Sequence, residues 1–137
     1  MPSCYKRTSL EGKFPEQLAG IDLLSGLELL SGNRALYLDL LHKFLDGHRD
    51  VSSAVRRALA AGEWDVAKLM VHNTKGVCAC IGANVLQESA AALEWAITTQ
   101  SFELDTLLHQ FEATLNEVMS DLASKLPSLH SLQPAEG

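Results

Sequence analysis

Leu104, Leu108, Phe111, Leu115, Val118 and Leu122 recur at alternating steps of four and three residues. This spacing aligns them along one side of an α-helix and scatters them across both faces of a strand. Tyr37, Leu41, Phe44, His48, Val51, Val55 and Ala58 repeat the same steps earlier in the chain. The second seam predicts one long helix, capped by Asn33 and stopped by Gly62. Two such seams can be buried only against other helices, which points to a helical bundle.

The segments around the seams supply those helices. "IDLLSGLELLSG" (21–32) is a short apolar helix ended by Gly32. "EWDVAKLMVHNTKGVCACIG" (63–82) is a full helix stopped by Gly82. Asn84 and Gln87 form a capping-box-like start to the next helix, which runs to about Thr99, and Ser101 caps the last. The expected fold is therefore all-α: an antiparallel up-down four-helix bundle with a short extra N-terminal helix across one end. Residues 1–20 read as a tail or linker, 21–126 as the bundle, and 127–137 as a C-terminal tail. Leu and Ala dominate a composition that is 47% apolar and only 6% aromatic, which favours helices over sheets.

The net charge of −6 argues against a general nucleic-acid partner. No apolar run approaches the length needed to span a bilayer, and no charged-then-apolar leader opens the chain, so a soluble, cytoplasmic protein without membrane insertion is expected; a monomer is expected as well. Cys4, Cys78 and Cys80 form an odd set without disulfide-framework spacing. Cys78 and Cys80, two apart on a helix, point to different faces, which suggests packing rather than metal binding.

Within residues 63–82, Ala67, Met70, Val71, Thr74, Val77, Cys78 and Ile81 gather on one side at 100° per residue, and His72 falls about 150° from the centre of that stripe. The imidazole is therefore expected on the outer face, about three turns from either helix end. Asp65, Lys68, Leu69, Gly76 and Ala79 share its face, with Lys75 at the margin. Lys75 and Gly76 lie three and four positions on and border the ring. A lysine there attracts a phosphoryl group, and a glycine leaves room for another protein, although glycine costs about 1 kcal/mol relative to alanine in a helix interior. Imidazole is a competent phosphoryl acceptor near neutral pH.

His72-Asn73-Thr74-Lys75-Gly76 resembles the His-x-Leu-Lys-Gly signature of histidine-containing phosphotransfer (HPt) domains. "ALAAGEWDVAKLMVH" is similar to the helix-turn-helix that leads into their acceptor histidine. "GIDLLSGLELLSGNRALYLDLLHKFLDGHRD" resembles the opening of HPt domains found at the C-terminal end of hybrid sensor histidine kinases. The resemblance covers roughly residues 20 to 125. It implies a phosphoryl carrier without its own ATP site, passing a phosphoryl group from one response-regulator receiver aspartate to another. The Mg²⁺ would sit in the partner receiver domain, and this chain would hold no cofactor or metal. It further implies His72 as acceptor, Lys75 as the phosphate-facing cation and Gly76 as the clearance position. Lys68, Leu69, Ala79 and Cys80 would contribute to partner docking. Thr74 stands where the family has leucine; its hydroxyl can bond the Met70 carbonyl four residues back, so the fold should tolerate it.

Other readings compete. A chemotaxis-kinase phosphoacceptor domain would draw its phosphoryl group from ATP through a separate kinase domain, and a pure receiver-binding module would show no turnover. The dimerising hairpin of a histidine kinase usually carries an acid directly after its histidine, where this chain has Asn73. His48 reads as a packed, hydrogen-bonded residue, His42, His109 and His130 as surface or tail residues, and Trp64 and Trp95 as core-edge packing. No Glu-x-x-His pair, zinc-protease helix, P-loop or dinucleotide-binding glycine turn occurs.

Overall fold

The computed structural model describes residues 17–126. The expected C-terminal tail, most of the expected N-terminal tail, Cys4 and His130 lie outside them. Among the described residues six helices follow in order: α1 (Leu23–Leu29), α2 (Arg34–His48), α3 (Val51–Ala60), α4 (Trp64–Ile81), α5 (Asn84–Thr99) and α6 (Leu104–Lys125). No strand ladder occurs among the described residues; Leu18 and Ile21 form an isolated bridge. Leu18, placed in the tail by sequence, is buried in the core, and the Ala19 amide donates to the Asp121 carboxylate at 2.7 Å.

The two apolar seams meet in one core. Leu108, Phe111, Leu115, Val118 and Leu122 of α6 are buried with Tyr37, Leu41, Phe44, Val55 and Ala58. Each large side chain so removed from water contributes about 1.5–3 kcal/mol. The seam of residues 37–58 does not belong to one helix, however. The chain breaks at Arg49–Asp50, where Asp50 leaves helical geometry with φ −105° and ψ 20° and makes no side-chain cap. Gly47, Asp50, Ser52 and Ser53 are poor helix formers, so little holds the backbone straight there. The spacing continues in phase across the break, which hides it from periodicity. His48 and Val51, the seam residues beside it, are only half-buried.

Several stops and caps follow the sequence. Asn33 accepts the Leu36 amide at 3.0 Å, and Gly62 and Gly82 take φ of 76° and 83°. Two caps differ. The N-cap of α5 is the buried Ala83, which puts Asn84 one position inside the helix, so no capping box forms. Ser101 accepts the Glu103 amide at 3.0 Å and thereby shapes the turn, while α6 itself begins at Leu104 behind Glu103.

The start of α1 and the Tyr37 side chain of α2 are both fastened to the end of α4. The Asp22 amide donates to the Gly82 carbonyl at 2.7 Å, and the Tyr37 hydroxyl donates to the Ile81 carbonyl at 2.6 Å. Those acceptors belong to the last turn of α4, whose carbonyls have no partner within the helix. A Cβ on Gly82 would strike the Asp22 carbonyl oxygen, and one on Gly26 would stand 2.6 Å from the Tyr37 ring. Burial raises the Tyr37 hydroxyl's pKa, with Asp22 adding to the effect, and so keeps it a donor.

Candidate functional site

Ala67, Val71, Thr74, Cys78 and Ile81 are buried, with Met70 and Val77 half-buried beside them, so α4 turns the expected stripe to the core. Thr74 sits in it and donates its hydroxyl to the Met70 carbonyl at 2.9 Å, which satisfies a polar group with no solvent access. With that stripe inward, His72 must face out, and its side chain is 58% exposed. Asp65, Leu69, Gly76, Ala79 and Cys80 are exposed around it, and Lys68 and Lys75 are half-buried. Cys78 and Cys80 point to opposite faces as expected; burial pushes the Cys78 thiol up to about 12.

The structure adds a residue the sequence reading missed. Glu94, on α5, accepts from His72 through Oε2, 3.0 Å from Nδ1, and binds Lys75 through Oε1, 2.7 Å from Nζ. One carboxylate thus grips both the ring and the cation three residues after it. With its side chain only 16% exposed, Glu94 is poorly solvated and relies on these partners. The Lys75 ammonium holds the Glu94 carboxyl below the usual carboxylate range; burial opposes this, and His72 reinforces it. An ionised carboxylate on Nδ1 selects the tautomer with its proton on Nδ1. That leaves Nε2, which has no partner among the described residues, as the nitrogen with a free lone pair.

Gly76 has no packing explanation among the described residues. A Cβ built on it meets nothing within 4 Å, and its φ is not left-handed. The helix bears the propensity cost of glycine without any return in internal packing. A shallow depression of about 320 Å³, lined by Asp65, Lys68, Leu69, His72 and Glu94, opens beside the ring.

The other expected positions separate from this site. His48 stacks on Phe44 with centroids 5.2 Å apart, but its buried Nδ1 finds no hydrogen-bond partner among the described residues, where one was foreseen. Burial lowers its pKa. His42, expected at the surface, is half-buried with Nε2 unpartnered among the described residues, whereas His109 is exposed, its Nδ1 2.9 Å from the Asp105 carbonyl. Trp64 packs against the core edge; Trp95, also expected there, is 53% exposed. No group of three or more His, Cys, Asp or Glu among the described residues could hold a metal ion. No helix among them is long and apolar enough to cross a membrane.

The Hpt domain family model matches residues 39–125. No curated protein and no solved structure matched the chain. The match contains α3 to α6 and most of α2, and so holds His72, Lys75, Gly76 and Glu94; α1 lies outside it. Members of this family are phosphocarrier modules rather than kinases, and they interact with response-regulator receiver domains. With a helical bundle that presents an exposed histidine, and a family match over more than half its length, the chain belongs to the Hpt domain family and serves phosphotransfer in two-component signalling.

Proposed function

We propose that this chain is a phosphorelay intermediate in which His72 accepts a phosphoryl group from a receiver-domain aspartate and passes it to a response-regulator aspartate. One observation carries the reading: an exposed imidazole whose Nδ1 is tied to a carboxylate and whose Nε2 is free. In the forward step the Nε2 lone pair attacks phosphorus in line. The new N–P bond forms as the P–O bond to the donor aspartate breaks, and that electron pair returns to the donor carboxylate. Nδ1 keeps its proton, and Glu94 stabilises the positive charge that develops on the ring. The ring is then a good leaving group when the next aspartate attacks. Mg²⁺ bound in the receiver would supply electrostatic stabilisation of the transferring group.

Lys75, held beside the ring by Glu94, contributes positive potential on the phosphoryl's path. Gly76 leaves clearance for the receiver's active site, and Lys68, Leu69, Ala79 and Cys80 form the surrounding docking surface. The finer architecture proposed is an antiparallel up-down bundle of α2–α3, α4, α5 and α6 with α1 across one end. The two-residue connection Gly82–Ala83 and the Tyr37–Ile81 bond support it. We place this chain as a cytoplasmic monomer of the kind attached to hybrid kinases, on the resemblance of residues 20–50.

Incubation with a phosphorylated receiver, followed by addition of a second receiver, tests the relay. Label should move onto the chain and then off it. Label transfer that survives His72→Gln would sink the acceptor assignment, and labelling by ATP alone would point to a kinase.

A further inference from the structure

We propose that Lys68 is a second phosphoryl-binding residue, the one whose ammonium is not already engaged in an ion pair when His72 is phosphorylated. The inference rests on His72 being the acceptor. Lys75 stands in the expected place for this task, but its Nζ lies 2.7 Å from Glu94 Oε1, so much of its charge is already cancelled. Lys68 has no hydrogen bond or ion pair among the described residues. It also lines the depression beside the ring, together with Asp65, Leu69, His72 and Glu94, whereas Lys75 does not.

Helix geometry gives the same direction. The Cα–Cβ bonds of a helix tilt toward its N-terminus, so a side chain covers the turn before its own Cα. The His72 ring therefore lies over the turn that carries Lys68 and Leu69. Lys68 is four residues before His72, with Cβ atoms about 5–6 Å apart in a regular helix, within reach of a flexible ammonium. The charged groups that line or adjoin the depression are Lys68 one turn and Asp65 two turns before His72, Lys75 about one turn after it and Glu94 on α5. In the resting site these sum to zero. A phosphoryl group adds negative charge to that balanced set, and Lys68 is the cation free to answer it.

A chemical donor isolates this step from any receiver. With phosphoramidate, Nε2 attacks phosphorus, the P–N bond of the donor breaks, and ammonia leaves with its electron pair after protonation. The full-length chain, Lys68→Met and Lys68→Arg are compared for the rate of His72 labelling, with circular dichroism confirming the fold. At low ionic strength Lys68→Met should label about fivefold more slowly, the factor one unit charge about 4 Å away exerts through water. Lys68→Arg should retain the rate. The difference should shrink to less than about twofold near 1 M salt, where screening acts over about 3 Å; a general structural defect would persist. Labelling of Lys68→Met at the wild-type rate in low salt overturns the role of Lys68 and leaves the acceptor intact. No phosphohistidine at position 72 in any of the three proteins overturns both.

Discussion

Replacement of Gly76 should make the protein more stable and less able to transfer. The residue lies inside α4, exposed, with nothing within 4 Å of a Cβ built on it. Alanine there meets no clash and removes the propensity cost of glycine, so Gly76→Ala should stabilise the fold by about 0.8–1 kcal/mol. For a domain of this size that is a rise in Tm of roughly 4 °C. Gly76→Gln should stabilise by somewhat less, since glutamine is a slightly poorer helix former than alanine. Its side chain leans toward the helix N-terminus and so toward His72, into the space that the proposed relay reserves for a receiver. A displacement of the reacting atoms by about 1 Å can cost roughly 100-fold, so transfer to Gly76→Gln should fall by at least that factor. Gly47 is the control: it is also helical, exposed and without neighbours at its Cβ, but it lies on α2. Gly47→Ala should gain stability without any loss of transfer. Urea unfolding gives the stability, and label passed from a phosphorylated receiver gives the rate. Wild-type transfer by Gly76→Gln would refute the clearance argument, and a destabilised Gly76→Ala would show that the glycine has an internal role after all.

Glu94→Gln should leave the fold intact but release the ring. The amide can still hydrogen-bond Nδ1, yet it no longer carries the charge that favours Nδ1–H, so imidazole ¹⁵N spectra should show a mixture of tautomers and transfer should drop about 10-fold or more; an unchanged tautomer would contradict its orienting role. Gly82→Ala should cost about 2 kcal/mol or more in urea unfolding, because the site has φ 83° and its Cβ would strike the Asp22 carbonyl oxygen; a loss under about 0.5 kcal/mol would mean that α1 can lift away freely. His48 is held neutral by burial, so folding favours its uncharged form. Its contribution is complete above its unfolded value near 6.5 and declines as pH falls from there toward the lowered folded value. His48→Phe should therefore lose less stability than wild type between pH 7.5 and 5.5, and parallel losses would contradict the assignment.

The His72 face was legible because it depends on one helix alone. Once Val71, Thr74 and Cys78 are identified as buried, the rotation of α4 is set, and the exposure of His72, Leu69 and Gly76 follows. Glu94 was not legible in that way, because its role depends on which turn of α5 lies beside which turn of α4. A weaker signal was present. Glu94 lies four after the buried Ala90 and three before the buried Ile97, and no cation stands three or four positions away on its own helix. A carboxylate at the edge of a buried stripe without a local partner must be met from another helix. The break at Arg49–Asp50 escaped notice for a different reason: the apolar seam passes through it without losing step. Asn84 failed as a cap because the left-handed turn at Gly82 brings Ala83 to that position first.

Under the proposed relay, phosphoryl chemistry occurs at the outer nitrogen of one imidazole. Heteronuclear ³¹P–¹⁵N correlation of the phosphorylated, ¹⁵N-labelled chain reads this directly. A single phosphorus coupled to Nε2 of His72 is expected, with the proton retained on Nδ1 beside Glu94. Coupling to Nδ1, or to any residue other than His72, would contradict it.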